Sequence, residues 1–169
     1  SDDGVRLLAT TLKGEGSLRS LDLSWNGIGA RGGRYLGDAL KVSRSLEELR
    51  LSWNGLMDRG ARALGEALGS NDALTLLDLE HNAIKDEGCL SLTKGLRANG
   101  ALRSLLLDHN GISNTSRSEA DTALAMEPEL PSAAAPRSSA SAPEDGEEEI
   151  EEISFDDDEA AAAEAAAEA

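Results

Sequence analysis

Four segments of this chain repeat one another with a period of 28 residues. They begin with SLRSLDLSWNG at 17, SLEELRLSWNG at 45, ALTLLDLEHNA at 73 and ALRSLLLDHNG at 101. The pattern L-x-x-L-x-L-x-x-N-x-(I/L) is met in all four segments without an insertion. A fixed period of this length indicates a stack of identical small units, each packing on the next.

Each unit is predicted to contain a short strand followed by a helix. Leucines alternate with other residues in LDL at 21–23 and its equivalents, which indicates a strand with one apolar face. Pairs of leucines four residues apart follow, as expected for a helix: Leu36 and Leu40, Leu64 and Leu68, Leu92 and Leu96. Because one such unit cannot bury its apolar side alone, we expect stacking to form the core.

This pattern resembles the leucine-rich repeat, and the 28-residue length resembles its ribonuclease-inhibitor-like subclass. The resemblance covers residues 4–114 and implies an α/β solenoid. In this fold a parallel sheet lines the concave side of a partial horseshoe and helices form the convex side. The resemblance also implies a protein-binding function across the concave face.

The repeats divide the chain into predicted parts. A half repeat at 4–16 precedes three repeats at 17–44, 45–72 and 73–100, and residues 101–127 form a degenerate cap that completes the solenoid over 1–127. We expect the cap helix at 116–126 to begin with a capping box made by Ser116 and Glu119. A helix without a preceding strand suggests that residue 1 lies inside a longer array, of which this chain is a fragment.

The charge is distributed unevenly along the chain. Residues 1–114 contain 14 Lys and Arg against 15 Asp and Glu, whereas residues 115–169 contain 2 against 17. This balance argues against nucleic acid or an anionic membrane as the partner, since both require a positive surface. The composition predicts a disordered linker at 128–143 and an acidic, Ala-rich disordered tail at 144–169. The tail either confers solubility or engages a basic partner.

Ser154 is a candidate phosphorylation site within the tail. It lies in ISFDDD, with Asp157 three residues further on, which resembles the sites of acidophilic kinases such as casein kinase 2. Because acidic runs produce this pattern by composition alone, chance occurrence is the alternative.

A column of rings precedes the repeated asparagine. Trp25 and Trp53 occupy it in the first two repeats, and His81 and His109 in the next two. Since neighbouring parallel strands lie about 4.8 Å apart, we expect the four side chains to form one row along a rim of the sheet. Either the position tolerates any bulky residue, or the row is a partner-binding ridge, where Trp is enriched. The asparagines themselves are expected to satisfy backbone groups at the turn.

Other chemistry finds little support in the sequence. The single cysteine, Cys89, fits a reducing compartment and a cytoplasmic location, and its small-residue column predicts an inert buried thiol. His81 and His109, with Asp78, Glu80 and Asp108 nearby, form a weak metal pattern, so we expect no metal and no other cofactor. No nucleotide-binding or nucleophile motif is present in the sequence, which predicts that the chain is not an enzyme.

The sequence therefore predicts a non-enzymatic protein-interaction scaffold, monomeric apart from its protein partner. The predicted binding surface combines the ring row with the strand positions Asp22, Arg50, Asp78 and Leu106. The alternative is the C-terminal part of a regulator similar to Ran GTPase-activating proteins, a family that joins such repeats to an acidic C-terminal region. The catalytic arginine of that family would lie in repeats upstream of this chain.

Overall fold

A computed structural model of the protein describes residues 2–12 and 17–126. The elements alternate along the chain: α1 Asp2–Leu12, β1 Ser20–Asp22, α2 Ala30–Leu40, β2 Glu48–Arg50, α3 Met57–Leu68, β3 Leu76–Asp78, α4 Asp86–Arg97, β4 Ser104–Leu106 and α5 Asn114–Ala125. The predicted linker at 128–143, the tail at 144–169 and Ser154 lie outside the described residues. None of the described helices is long and apolar enough to cross a membrane.

The strands form one parallel sheet in sequence order, β1-β2-β3-β4. Every strand pairs with the next at an offset of one repeat, so that Leu21 lies beside Leu49, Leu49 beside Leu77 and Leu77 beside Leu105. The predicted register is confirmed, because the same position of each repeat occupies the same position in the sheet.

The core lies between the sheet and the layer of helices. The leucines of the strand and helix halves meet there, and Leu49, Leu64, Leu77 and Leu92 are completely buried. Burying each such side chain stabilises the fold by about 1.5–3 kcal/mol relative to exposure. The predicted α/β solenoid, with stacked repeats sharing one continuous core, is confirmed.

The convex helices pack with very close backbone contacts. A Cβ atom added to Gly65 of α3 would overlap the carbonyl oxygen of Ser91 in α4, and one added to Gly95 would overlap the carbonyl oxygen of Gly65. No side chain fits there, so glycine at these two positions sets the distance between the helices.

The repeated asparagines hold the turns together, as predicted. The Asn54 side-chain oxygen accepts the Ile28 N–H at 2.9 Å, and its nitrogen donates to the carbonyls of Leu51 at 2.9 Å and Leu23 at 3.0 Å. Asn110, two repeats later, makes the equivalent bonds. Its oxygen accepts the Ile84 N–H, and its nitrogen donates to the carbonyls of Leu107 and Leu79. Each amide therefore ties its own repeat to the preceding one.

A second asparagine ladder lies at the other end of the repeats. Asn71 donates to the carbonyls of Leu40 and Ser43, and Asn99 donates to those of Leu68 and Asn71. Both are buried, and each oxygen accepts two backbone N–H groups of its own loop. Ser43 occupies the same column, and its buried hydroxyl has no hydrogen-bond partner in the described part of the chain.

Aspartates at a third repeated position cap the helix of the following repeat. The Asp58 carboxylate accepts the N–H groups of Lys85 at 2.8 Å and Gly88 at 3.0 Å, at the start of α4. Asp2 accepts from Gly29 at 2.7 Å and Asp86 from Ser113 at 2.8 Å. An acceptor at this position satisfies N–H groups that have no partner inside the helix.

Ala30 interrupts this column and changes the start of α3. Met57 is the residue whose N–H would donate to this carboxylate. Its backbone is left-handed, with φ 53°, whereas the equivalent residues Gly29 and Lys85 are extended. Without a carboxylate to accept it, the Met57 N–H bonds to the Asn82 carbonyl at 3.0 Å. The missing acceptor explains why this repeat differs from the others.

The predicted capping box of the last helix is wrong. Helix α5 begins at Asn114, and the side chain that caps it is that of Ser113, which accepts the Ser116 N–H at 3.3 Å. Asp86 holds the Ser113 N–H from the preceding repeat, which fixes the helix start two to three residues earlier than the sequence predicts.

Candidate functional site

The four rings of the predicted row form one continuous stack. Ring centroids lie 4.2 Å apart between Trp25 and Trp53, 3.7 Å between Trp53 and His81, and 4.2 Å between His81 and His109. The planes differ by 11°, 15° and 9°, so all four rings are nearly parallel. The predicted row is confirmed, with rings closer than the strand spacing of about 4.8 Å.

All four ring residues have a left-handed backbone. Their φ angles are 61° for Trp25, 56° for Trp53, 52° for His81 and 57° for His109. For a bulky side chain this conformation is an outlier that costs energy. The asparagine that follows each ring enforces it: in the second repeat Asn54 bonds to the carbonyls of Leu51 and Ser52, closing a small loop around Trp53.

Backbone hydrogen bonds between repeats fix the position of each ring. The N–H of Trp25 donates to the Ser52 carbonyl at 3.1 Å, and the N–H of Trp53 to the Glu80 carbonyl at 3.0 Å. The N–H of His81 donates to the Asp108 carbonyl at 3.2 Å. The ladder of the sheet thus extends past the strands, and the stack stands on a rigid base.

The stack presents apolar surface to solvent. Trp25 is 69% exposed and Trp53 is 44% exposed, His109 is exposed and His81 is half-buried. Neither indole enters the leucine core. Exposed indoles offer large contact areas to a partner. Because their neighbours already hold them rigid, these side chains lose little conformational freedom on binding.

The four strand residues of the predicted surface lie side by side. Asp22 is in register with Arg50, Arg50 with Asp78, and Asp78 with Leu106. Leu106 is 37% exposed, whereas Asp78 is only 8% exposed and offers little surface to a partner. Asp78 instead accepts the N–H of Glu80 at 3.0 Å, at the end of its strand.

Polar contacts within the sheet hold the charged residues of this face. Arg50 donates to Glu48 at 2.9 Å and to the Ser20 hydroxyl at 3.5 Å, and that hydroxyl donates to Glu48 at 3.1 Å. The Arg50 hydrogen bond lowers the pKa of Glu48, with Ser20 adding to the effect. Hydrogen bonds from the Ser24 side chain and N–H lower the pKa of Asp22. Both carboxylates are therefore ionised at neutral pH.

The far end of the face is closed by an ion pair to the last helix. Arg117 of α5 lies 2.9 Å from Asp108 and 3.5 Å from Asp121. At the other end the Ser52 hydroxyl donates to that of Ser24 at 2.9 Å. The face is thus small, polar and of mixed charge, with the ring stack along one rim.

The two histidines and Cys89 are the remaining candidate groups for metal binding or thiol chemistry. The His81 and His109 rings face each other in parallel, and no group of three or more His, Cys, Asp or Glu within residues 2–12 and 17–126 could hold a metal ion. Cys89 is completely buried, and burial raises the pKa of its thiol, which disfavours the reactive thiolate.

Sequence comparison matches three of the four repeats to a family described as Leucine Rich repeat, over residues 17–37, 42–65 and 70–92. The fold is a leucine-rich-repeat solenoid. The assignment to the ribonuclease-inhibitor-like subclass stays a prediction. No curated protein matches the chain significantly.

Two solved structures are similar to this chain at low sequence identity. The chain is similar to the structure described as leiomodin-1 actin-binding site 2, with 18% identity, 72% of this chain and 70% of that chain covered, and a TM-score of 0.60. It also aligns with a tropomodulin C-terminal domain from Caenorhabditis elegans, with 17% identity, 71% and 90% coverage, and a TM-score of 0.49. At these identities the first likeness supports the fold alone.

Sequence reasoning missed three repeated sets of residues, although the 28-residue period contains all of them. They are the second asparagine pair, the capping aspartates and a group of arginines on the helices: Asn71 and Asn99; Asp2, Asp58 and Asp86; Arg31, Arg34, Arg59 and Arg62. Aligning every column of the repeat, and not only the leucine columns, reveals each set.

Proposed function

We propose that the chain is a non-enzymatic protein-interaction module that binds a protein partner through the ring stack and the adjoining sheet face. The observation that carries the proposal is the four-ring stack itself. Its backbone conformation would suit glycine or asparagine better than tryptophan. Two exposed tryptophans at such positions, outside the core, support a binding role.

The strand residues supply the polar part of the proposed surface. Asp22, Arg50 and Leu106 flank the stack with one acidic, one basic and one apolar side chain. A central aromatic anchor surrounded by polar groups is the arrangement that gives tight and specific protein binding. Asp78 is nearly covered and contributes little contact area to this surface.

Solved structures of this fold give a first partner to test. The leiomodin-1 structure is described as an actin-binding site. Identity of 18% transfers the fold and not the partner, so actin is a candidate for measurement only. The wider use of such solenoids as binding domains supports the non-enzymatic assignment.

The decisive experiment measures partner affinity after removal of one ring. Partners captured from an extract by the full chain, and purified actin, are titrated against the protein and Trp53→Ala. We expect Trp53→Ala to weaken binding by about 2 kcal/mol or more, roughly 30-fold. Leu90→Ala, an exposed leucine on the convex helix α4, is the matched control. Equal affinities for all three proteins would refute a binding role for the stack.

The alternative, a regulator similar to Ran GTPase-activating proteins, stays a hypothesis. Ran GTP hydrolysis measured with and without the protein distinguishes it from a binding module.

A further inference from the structure

Four arginines form a two-by-two array on the convex side, away from the ring stack. Arg31 and Arg34 are one helical turn apart on α2, and Arg59 and Arg62 occupy the same positions one repeat later on α3. With Lys41 they line a groove of about 550 Å³ between the two helices. All four arginines are exposed to solvent.

Carboxylates within the protein neutralise only part of this array. Arg62 pairs with Glu87, and Lys41 lies 3.7 Å from Asp38 and 3.8 Å from Glu66. Arg34 and Arg59 have no ion-pair partner among residues 2–12 and 17–126. Two guanidinium groups on facing helices therefore keep their donors available.

The repeat limits how far the array extends across the helices. In the column of Arg31 and Arg59, the preceding repeat carries Asp3 and the following repeat Glu87. In the column of Arg34 and Arg62, Leu90 follows on α4, whereas Arg6 precedes on α1 and extends the column by one exposed arginine. Since residues 1–114 hold nearly equal numbers of basic and acidic residues, this concentration of positive charge is local.

We propose that the arginine array binds an acidic segment of a protein partner. Guanidinium groups form two parallel hydrogen bonds to a carboxylate, and a two-by-two arrangement accepts successive acidic side chains of one extended segment. Asp38 and Glu66 within the groove disfavour a uniform polyanion. Outside the groove, residues 1–114 hold no excess of basic residues, so a long nucleic acid whose charges extend beyond the groove would meet no continuous positive surface. The array lies on a different face from the ring stack, so it goes beyond the function proposed above.

The test measures binding of a fluorescently labelled peptide of repeating Glu-Glu-Gly to the full chain at low salt. The variant is Arg34→Gln with Arg59→Gln. The matched control is Arg97→Gln with Arg103→Gln, which removes the same charge from exposed positions outside the array. We expect the array variant to lose at least tenfold in affinity and the control less than twofold, with unchanged circular dichroism for both. A peptide with Gln in place of Glu should not bind.

Any of four outcomes would overturn the proposal. Equal losses in both double variants would show an effect of net charge alone, and equal binding of the Gln peptide would show that carboxylates are not recognised. A single-stranded DNA of matched length that binds more tightly than the peptide would assign the array to nucleic acid. Peptide binding that requires removal of residues 144–159 would assign the array to the acidic run of this chain instead of a partner.

Discussion

At the scale of single residues, asparagine amides replace backbone hydrogen bonds that tight turns cannot make. Asn82 is completely buried, and its nitrogen donates to the carbonyls of Leu51 at 2.8 Å and Glu80 at 2.9 Å. The asparagine carboxamide both donates and accepts, whereas the carboxylate of aspartate, which has the same shape, only accepts. The stability of each turn therefore depends on one asparagine side chain.

Asn82→Ala should lower the free energy of unfolding by about 1–3 kcal/mol, because it strands buried carbonyls without a donor. Urea denaturation followed by circular dichroism measures the change. Asn114→Ala, at an exposed asparagine, is the control and should change stability by less than about 0.5 kcal/mol. An unchanged midpoint for Asn82→Ala would show that the asparagines do not hold the turns.

Ala30→Asp should stabilise the protein, because it restores the capping carboxylate that the other repeats possess. The new acceptor would satisfy the N–H of Met57 and release this residue from its left-handed conformation. A cap is worth about 0.5–2 kcal/mol, and Asp58→Ala should cost a similar amount at α4. Chemical denaturation of both variants measures the two effects. A lower midpoint for Ala30→Asp would mean that the Met57 conformation has another cause.

At the scale of elements, the spacing of the convex helices depends on glycine. Helix α3 lies so close to α4 that the missing Cβ atoms of Gly65 and Gly95 are what permit the contact. Intrinsic helix propensity favours alanine over glycine by about 1 kcal/mol, and packing here opposes that preference.

Gly65→Ala should therefore destabilise the protein, since overpacking of about 1–3 kcal/mol exceeds the gain in propensity. Gly4→Ala in α1 is the opposite case, because a Cβ atom added there would meet no described atom within 4 Å. We expect Gly4→Ala to raise stability by about 0.5–1 kcal/mol. Thermal melts of both variants measure this difference in sign, and stabilisation by Gly65→Ala would contradict the close packing.

At the scale of the whole molecule, each repeat contacts only its neighbours. Helices α3 and α4 are covered on both sides, while within the described residues α1 packs against α2 alone. The stability of such a stack is a sum of repeat and interface contributions, so it is not uniform along the chain.

Amide hydrogen exchange should follow this gradient. We expect the amides of α1 to exchange faster than those of α3 and α4 at neutral pH, because opening α1 breaks a single interface. Mass spectrometry of peptides from the full chain measures the rates. Protection in α1 equal to that in α3 would contradict the prediction.

The register, the parallel sheet, the leucine core and the order of rings in the stack all follow from the repeat in the sequence. A constant period of 28 residues places Trp25 beside Trp53 and His81 beside His109 in any stacked arrangement of the units. The same period also contains the columns of asparagine, aspartate and arginine.

The backbone conformation and burial at each repeated position, in contrast, depend on tertiary contacts. The left-handed rings, the low exposure of Asp78, the start of α5 after Ser113 and the altered turn at Met57 depend on contacts within a repeat and with its neighbours on either side. A period fixes which residues become neighbours, whereas the backbone conformation follows from the hydrogen bonds that those neighbours supply.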